Sequence, residues 1–183
     1  MPYVIELLFD PQTETVIRGL WQRIRDAGHP SSLDADGYRS HLTLAVSDAA
    51  AFDVAGCRAQ LTDFARTWSP FPIQLNHLGL FQTMNNVVFL GVAPSAPLLA
   101  LHREVFGLCQ AWTTGWRDYY APDHWTPHVT LGFDLTPSQA LGILSLAWEM
   151  SLPIHAHARA LQLVHVTSAA ARNLILCEMR GAV

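Results

Sequence analysis

Lysine is absent from this 183-residue sequence, so all eleven of its basic residues are arginines. Charged residues make up only 14% of the chain, the formal net charge is −4, and no run of basic residues occurs. Proteins that bind nucleic acid regardless of sequence draw most of their affinity from Lys and Arg contacts to phosphates. The composition therefore argues against long duplex nucleic acid as a partner, and it is compatible with a small anionic ligand.

Cysteines and long apolar segments are also scarce. Cys57, Cys109 and Cys177 are odd in number and far apart, which fits neither a disulfide framework nor a CxxC metal site. No run of about 18 apolar residues could span a membrane, and the first residues lack the basic and apolar segments of a signal peptide. We therefore expect a monomeric, cytoplasmic protein with reduced thiols and no membrane partner.

The sequence does contain a duplicated motif, His-x-Thr-Leu, each copy in an apolar segment that predicts a strand. Residues i and i+2 of a strand share a face. His41 would therefore present its imidazole beside the Thr43 hydroxyl, and His128 would do the same beside Thr130. Two matching pairs indicate a chain built from two similar halves that meet across one site.

The order of predicted elements repeats as well. Residues 87–94 align without a gap on residues 4–11, proline against proline, and residues 152–163 open with the same apolar-Pro-Ile pattern as residues 71–81. Periodicity and turn signals predict strands at 3–9, 40–46, 71–81, 85–92, around His128, 152–163 and 172–179, helices at 12–27, 50–67, 96–112 and 137–149, and a loop at 29–37.

These elements predict an α+β fold of two pseudo-symmetric β-α-β-α-β lobes, with antiparallel-type sheets facing a central cleft and helices outside. We expect residues 1–183 to form a single bilobal domain. Its first repeat covers about 1–81 and its second about 85–180, and a hairpin through residues 82–84 connects them. A pseudo-twofold axis would bring the two histidines into the cleft from opposite walls.

At these residues the chain resembles the 2H phosphoesterase superfamily, which includes 2′-5′ RNA ligase-like proteins and RNA 2′,3′-cyclic phosphodiesterases. The resemblance rests on Ser-His41-Leu-Thr43-Leu, on Pro-His128-Val-Thr130-Leu and on the duplicated element order, and it covers nearly the whole chain. It implies a metal-independent phosphodiesterase without a cofactor, in which both histidines act as acid and base and both threonines hold the phosphate. The sequence departs from many members at Ser40, where they have proline.

The implied chemistry suits these side chains. Opening a cyclic phosphodiester with water requires a base for the water and an acid for the leaving oxygen. A histidine, with an unperturbed pKa of about 6.5, can take either role near neutral pH, and each role typically contributes about 10² to 10⁴ in rate. Threonine hydroxyls can donate to the non-bridging oxygens. The sequence does not say which histidine is the base.

Several further side chains are candidate substrate contacts. Arg39 lies two residues before His41 and could reach a phosphate from the same strand face, or be a solvated residue at the strand start. Phe89, the repeat-mate of Glu6, could face the cleft as a base platform or belong to the core. A set of aromatic residues could stack on an unpaired base or pack under a long loop: Tyr38, Tyr119, Tyr120 and Trp125.

We therefore predict a phosphodiesterase that hydrolyses a 2′,3′-cyclic phosphate or a 2′-5′ linkage in a small nucleotide or RNA end. A first alternative is a non-catalytic module that binds a nucleotide or RNA end in the same cleft. A second alternative is a metal-dependent hydrolase that uses His155 and His157, whose spacing places two imidazoles on one strand face.

Overall fold

The computed structural model describes residues 1–30, 33, 37–83, 85–167 and 170–180. Parts of three predicted segments lie outside these described residues: 31, 32 and 34–36 of the loop at 29–37, residue 84 of the hairpin link, and 181–183 of the predicted domain.

The described part of the chain contains the predicted strands and helices in the predicted order. They are β1 (Tyr3–Phe9), α1 (Pro11–Asp26), β2 (His41–Ser47), α2 (Val54–Thr67), β3 (Phe71–Phe81), β4 (Val87–Val92), α3 (Ala96–Cys109), β5 (His128–Gly132), α4 (Pro137–Ala147), β6 (Ile154–Val166) and β7 (Ala171–Glu178). A single 3₁₀ turn, Asp118–Tyr120, lies between α3 and β5.

Capping side chains decide where the first two helices begin. The Asp10 carboxylate accepts a hydrogen bond from the Thr13 amide at 2.9 Å at the start of α1. Helix α2 starts at Val54, later than the predicted residue 50, because the Asp53 side chain caps it by accepting from the Gly56 amide at 2.9 Å. These local bonds satisfy amides that the first helical turn would otherwise leave unpaired.

The main hydrophobic core joins one face of the sheet to the helices. Fully buried residues from each helix belong to it: Ile17 of α1, Leu61 of α2, Leu98 of α3 and Ile143 of α4. On β1 it takes Ile5 and Leu7 and skips Glu6, as the alternation of a strand requires. The helices therefore cover one face of the sheet, and the opposite face remains available for a cleft. Among the described residues, no helix is both long and apolar enough to cross a membrane.

The strands form one antiparallel sheet in the order β2-β1-β6-β3-β4-β5, with β7 also pairing with β6. The third strand of each half pairs with the first strand of the other half, since β3 pairs with β4 and β6 pairs with β1. The sequence repeat did not reveal this exchange, because pairing partners distant in sequence leave no local pattern.

The exchange produces two three-stranded units, β2-β1-β6 and β3-β4-β5, which meet where β3 and β6 pair. Gln74 lies opposite His155, with Ile73 opposite Ala156 and Leu75 opposite Ile154. Gln74 and His155 are also equivalent when residues 71–75 are aligned on residues 152–156. An axis relating the halves therefore passes through this pair.

The first two strands of each half share one register. Equivalent residues pair in both halves: Glu6 with Thr43, Leu8 with His41, Phe89 with Thr130, and Gly91 with His128. An irregularity follows at the same point in each half, between Ile5 and Glu6 and between Val88 and Phe89. A bulge of this kind re-aims nearby side chains, so the two motifs enter the cleft from equivalent backbones.

Candidate active site

A cavity of about 890 Å³ opens on the face of the sheet opposite the helices, and the four motif residues His41, Thr43, His128 and Thr130 line it. The strand alternation explains this placement, because Leu42 and the other intervening residues are buried in the helix-covered core. The sheet thus brings both motifs, separate in sequence, to one cavity.

A backbone carbonyl two residues upstream orients each imidazole. His41 Nδ1 lies 2.8 Å from the Arg39 carbonyl oxygen, and His128 Nδ1 lies 2.7 Å from that of Thr126. Since a carbonyl can only accept, each Nδ1 carries the proton and donates it. The Nε2 atom of each ring is therefore the one left for acid or base chemistry.

Glu6 lies beneath His41 and also lines the cavity. Its carboxyl is fully buried, with Oε2 accepting a hydrogen bond from Gln162 Nε2 and Oε1 3.5 Å from His41 Nε2. Within the described residues, Oε1 has no hydrogen-bond partner. Burial raises the pKa of Glu6 above its ordinary value, while the charge of His41, the Gln162 hydrogen bond and the charge of Arg39 act in the opposite direction.

His128 stands on an aromatic surface instead. Its ring centroid lies 4.9 Å from that of Phe81 and 5.2 Å from that of Phe89. Burial lowers the pKa of His128 below its ordinary value; the bond to the Thr126 carbonyl opposes this shift, and the charge of His41 adds to it. The lowered pKa makes a neutral imidazole the prevailing form of His128 near neutral pH.

Two buried indoles hold the threonine backbones. Trp125 Nε1 donates to the Thr43 carbonyl at 2.9 Å, and Trp21 Nε1 of α1 donates to the Thr130 carbonyl at 3.0 Å. Tyr120 also lines the cavity, and burial raises the pKa of Tyr120 to about 12, so its hydroxyl stays protonated. Both motif threonines are thus positioned by neighbouring groups.

His102 supports the Trp125 side of this arrangement from beneath. Its ring stacks on the Trp125 indole at 3.8 Å with an interplanar angle of 7°, and its Nε2 donates to the carbonyls of Leu44 and Tyr120 at 3.1 and 3.0 Å. Burial lowers the pKa of His102 to about 4. A neutral His102 therefore ties β2 to the turn that carries Tyr120.

The residues predicted to contact the substrate differ in whether they line the cavity and in how exposed they are. Tyr38 lines the cavity, with its ring 5.8 Å from that of His41. Trp125 lines it too, but only 8% of it is exposed, which limits its use as a stacking surface. Phe89 is 5% exposed and does not line the cavity, because His128 and Phe81 cover its ring. Phe89 is therefore buried on the cleft side of the sheet, beneath the site, and is not part of the helix-covered core.

Arg39 does not line the cavity. Its guanidinium lies 3.3 Å from the Glu14 carboxylate of α1. The same-face rule fails here because β2 begins at His41, so Arg39 precedes the strand and lacks its alternation.

Sequence reasoning missed several residues that line the cavity, of which Phe81 and Arg117 are the most informative. Phe81 turns to the cavity because β3 has an irregularity between Leu75 and His77 that reverses its alternation. Arg117 contacts both carboxylate oxygens of Asp48 at 2.7 Å. The aromatic sequence that follows Arg117 was its only local signal.

His155 and His157 are exposed on β6 and do not line the cavity. In the described part of the chain, no three His, Cys, Asp or Glu side chains group closely enough to hold a metal ion. The metal-dependent alternative therefore lacks a third ligand beside these histidines.

Comparison with a family model shows the protein family of the chain. The model of the 2′-5′ RNA ligase superfamily matches residues 10–169. The chain belongs to this superfamily. The resemblance to 2H phosphoesterases drawn from the two motifs is thereby confirmed, and membership supports an activity of the phosphodiesterase or ligase-like type.

Solved structures are similar to this chain at low sequence identity. The protein TT0787 of Thermus thermophilus has a TM-score of 0.65 and 15% identity, with 99% of each chain covered. Kluyveromyces marxianus Usb1 with uridine monophosphate is more distant, with a TM-score of 0.49, 10% identity, and 95% of this chain and 97% of that chain covered. None of the curated proteins matches the sequence significantly.

Proposed function

We propose that the protein hydrolyses a 2′,3′-cyclic phosphate or a 2′-5′ linkage in a small nucleotide or RNA end, without a metal ion. The observation that carries this proposal is that both His-x-Thr pairs line one cavity. In each pair the Nδ1–H group of the histidine donates to a backbone carbonyl. Two oriented imidazoles can supply the base and the acid that the reaction needs.

The reaction balances with these groups alone. One histidine takes a proton from water through Nε2 while the water oxygen bonds to phosphorus. The bond between phosphorus and a ribose oxygen breaks, and the other histidine protonates that oxygen. The hydroxyls of Thr43 and Thr130 can donate to the non-bridging oxygens, where negative charge develops.

The cavity suits a nucleotide in size and lining. Its volume of about 890 Å³ is near the upper end of the roughly 300–1,000 Å³ typical of small-molecule sites. Tyr119 is 56% exposed and Phe133 is 38% exposed at the cavity, and Tyr38 lies beside His41. Exposed aromatic rings commonly stack on unpaired bases.

The test is an assay of 2′,3′-cyclic mononucleotides and 2′-5′ dinucleotides in EDTA. We expect wild-type turnover, and loss of at least about 10²-fold in His41→Ala and in His128→Ala with unchanged circular dichroism. The double variant His155→Ala/His157→Ala is the matched control, because it removes two exposed imidazoles outside the cavity.

Each outcome assigns one of the three candidate functions. Binding of the nucleotide without turnover of any phosphodiester would instead favour the non-catalytic module. Activity that disappears in EDTA and in the His155/His157 control variant would favour the metal-dependent alternative.

A further inference from the structure

The two halves of the site differ most beneath the histidines. Glu6 pairs with Thr43 on β2, and Phe89 pairs with Thr130 at the equivalent register position on β5. Because the backbones match, the difference lies in the side chains. A carboxyl lies under His41, whereas a benzene ring lies under His128.

The two carboxyl oxygens of Glu6 have different neighbours, and Oε1 is the one close to His41. From β6, Gln162 donates to Oε2; from β2, His41 places Nε2 3.5 Å from Oε1. The charge of Arg39 also lowers the pKa of this carboxyl, and the carboxyl in turn raises the pKa of Tyr120. A fully buried carboxyl and an imidazole this close stabilise one shared proton, because attraction between opposite charges is strong away from water.

His128 has the opposite surroundings. Phe81 of β3 and Phe89 of β4 pack on its ring, and His77 lies on the far side of Phe89 with ring centroids 6.4 Å apart. The charge that acts on His128 is that of His41, which disfavours a second proton in the cavity. Its Nε2 lone pair is therefore available to accept a proton.

We propose that Glu6 is a positioning residue that keeps the catalytic proton on the His41 side of the cavity, so that His41 is the general acid and His128 the general base. This assignment rests on the proposed hydrolysis. Water loses its proton to His128 Nε2, its oxygen bonds to phosphorus, the ribose oxygen leaves, and His41 Nε2 protonates it. Proton exchange with solvent then restores both histidines.

The assignment also orients the substrate. In-line displacement places the leaving oxygen opposite the attacking water. The ribose that carries the leaving oxygen must therefore lie on the His41 side, where Tyr38 lines the cavity. The nucleoside of a cyclic phosphate accordingly binds on the His41 side of the cavity, beside Tyr38, and the water enters beside His128.

Glu6→Gln tests the assignment, because it removes the charge while keeping the shape of the side chain. NMR titration of the imidazole signals, identified by their loss in His41→Asn and His128→Asn, follows each proton directly. In the wild type we expect His41 to keep its proton to a higher pH than His128. In Glu6→Gln, His41 should lose its proton at a lower pH than in the wild type, with His128 little changed.

The pH profile of kcat/KM is a second readout that a merely structural role of Glu6 would not move selectively. The alkaline limb, set by the acid, should shift to lower pH in Glu6→Gln, and the acidic limb should stay in place. Glu149→Gln is the matched control, since it removes an exposed carboxylate that lies 2.9 Å from Arg23. Its titrations and profile should equal those of the wild type.

The assignment is overturned if His128 keeps its proton to a higher pH than His41 in the wild type, or if Glu6→Gln leaves both titrations unchanged. The wild-type titration decides the first point even if Glu6→Gln does not fold. If no phosphodiester is hydrolysed while the titrations follow the expected order, the proposed function and the catalytic roles fail, and the placement of the proton stands.

Discussion

Trp21 donates a hydrogen bond of 3.0 Å to the carbonyl of Thr130, so a helix of the first half holds the motif threonine of the second half. The reverse bond also exists, since Trp125 from the second half donates to the carbonyl of Thr43 at 2.9 Å. The two motifs are therefore each positioned by the opposite half. Movement of either half should disturb the motif threonine of the other, which we propose to contact the phosphate.

Trp21→Phe should lower both stability and turnover. The indole is fully buried, and its loss leaves the Thr130 carbonyl without this donor, at a cost of about 1–3 kcal/mol. We expect kcat to fall more than KM rises, because the threonine moves relative to the reacting phosphate. Urea unfolding and steady-state kinetics measure the two effects. Trp148→Phe is the matched control, since Trp148 is 81% exposed; an equal effect there would contradict the role of the bond.

Thr43→Val and Thr130→Val should each reduce kcat by about 10²-fold, the usual effect of removing one donor to a developing oxyanion. Valine keeps the shape and the strand preference of threonine, so circular dichroism and melting should change little. Thr114→Val, at an exposed residue outside the cavity, should retain full activity. A variant of either motif threonine with wild-type kcat would remove that hydroxyl from the mechanism.

The acidic limb of kcat/KM should lie below about pH 6.5, the ordinary pKa of histidine. Burial lowers the pKa of His128, so this proposed base should stay neutral, and the proposed activity should persist, until the pH falls through that lowered value. Phe81→Ala exposes the ring to water and should move the acidic limb upward towards about pH 6.5. A wild-type limb at or above that pH would show that burial of His128 does not set the profile.

Stability should decline between about pH 6.5 and about pH 4 through His102. Its pKa is about 4 in the folded protein and about 6.5 when unfolded, so the unfolded chain binds the extra proton first. The contribution of neutral His102 to the free energy of unfolding is fully present above about pH 6.5. It is lost as the pH falls to about 4, which lowers this free energy by about 3 kcal/mol. Urea midpoints at neutral pH, near pH 5.5 and near pH 4 measure it.

His102→Gln supplies the control for that decline. The amide can still donate to a carbonyl but does not titrate, so this variant should be less stable at neutral pH and depend less on pH. An equally steep decline in the variant would assign the acid sensitivity to other groups.

Arg39 and Phe81 show where prediction from sequence stops. Alternation placed His41 and Thr43 correctly on one face because both lie within β2, but it does not extend to Arg39, which precedes the strand and pairs with Glu14. By the alternation of the first part of β3, Phe81 would face the core. The irregularity in β3 turns it to the cavity instead. Strand ends and bulges depend on pairing partners that the local sequence does not identify.

The sequence by itself determined the elements, their repeated order and the two His-x-Thr pairs, because periodicity, capping and side-chain alternation act over a few neighbouring residues. Only the tertiary structure decided that β3 and β6 cross between the halves, that Trp21 holds Thr130, and that Glu6 lies under His41. These relationships join residues far apart in the chain, and they arise from packing and burial in the folded sheet. The chemical difference between two nearly equivalent motifs is therefore a property of the fold.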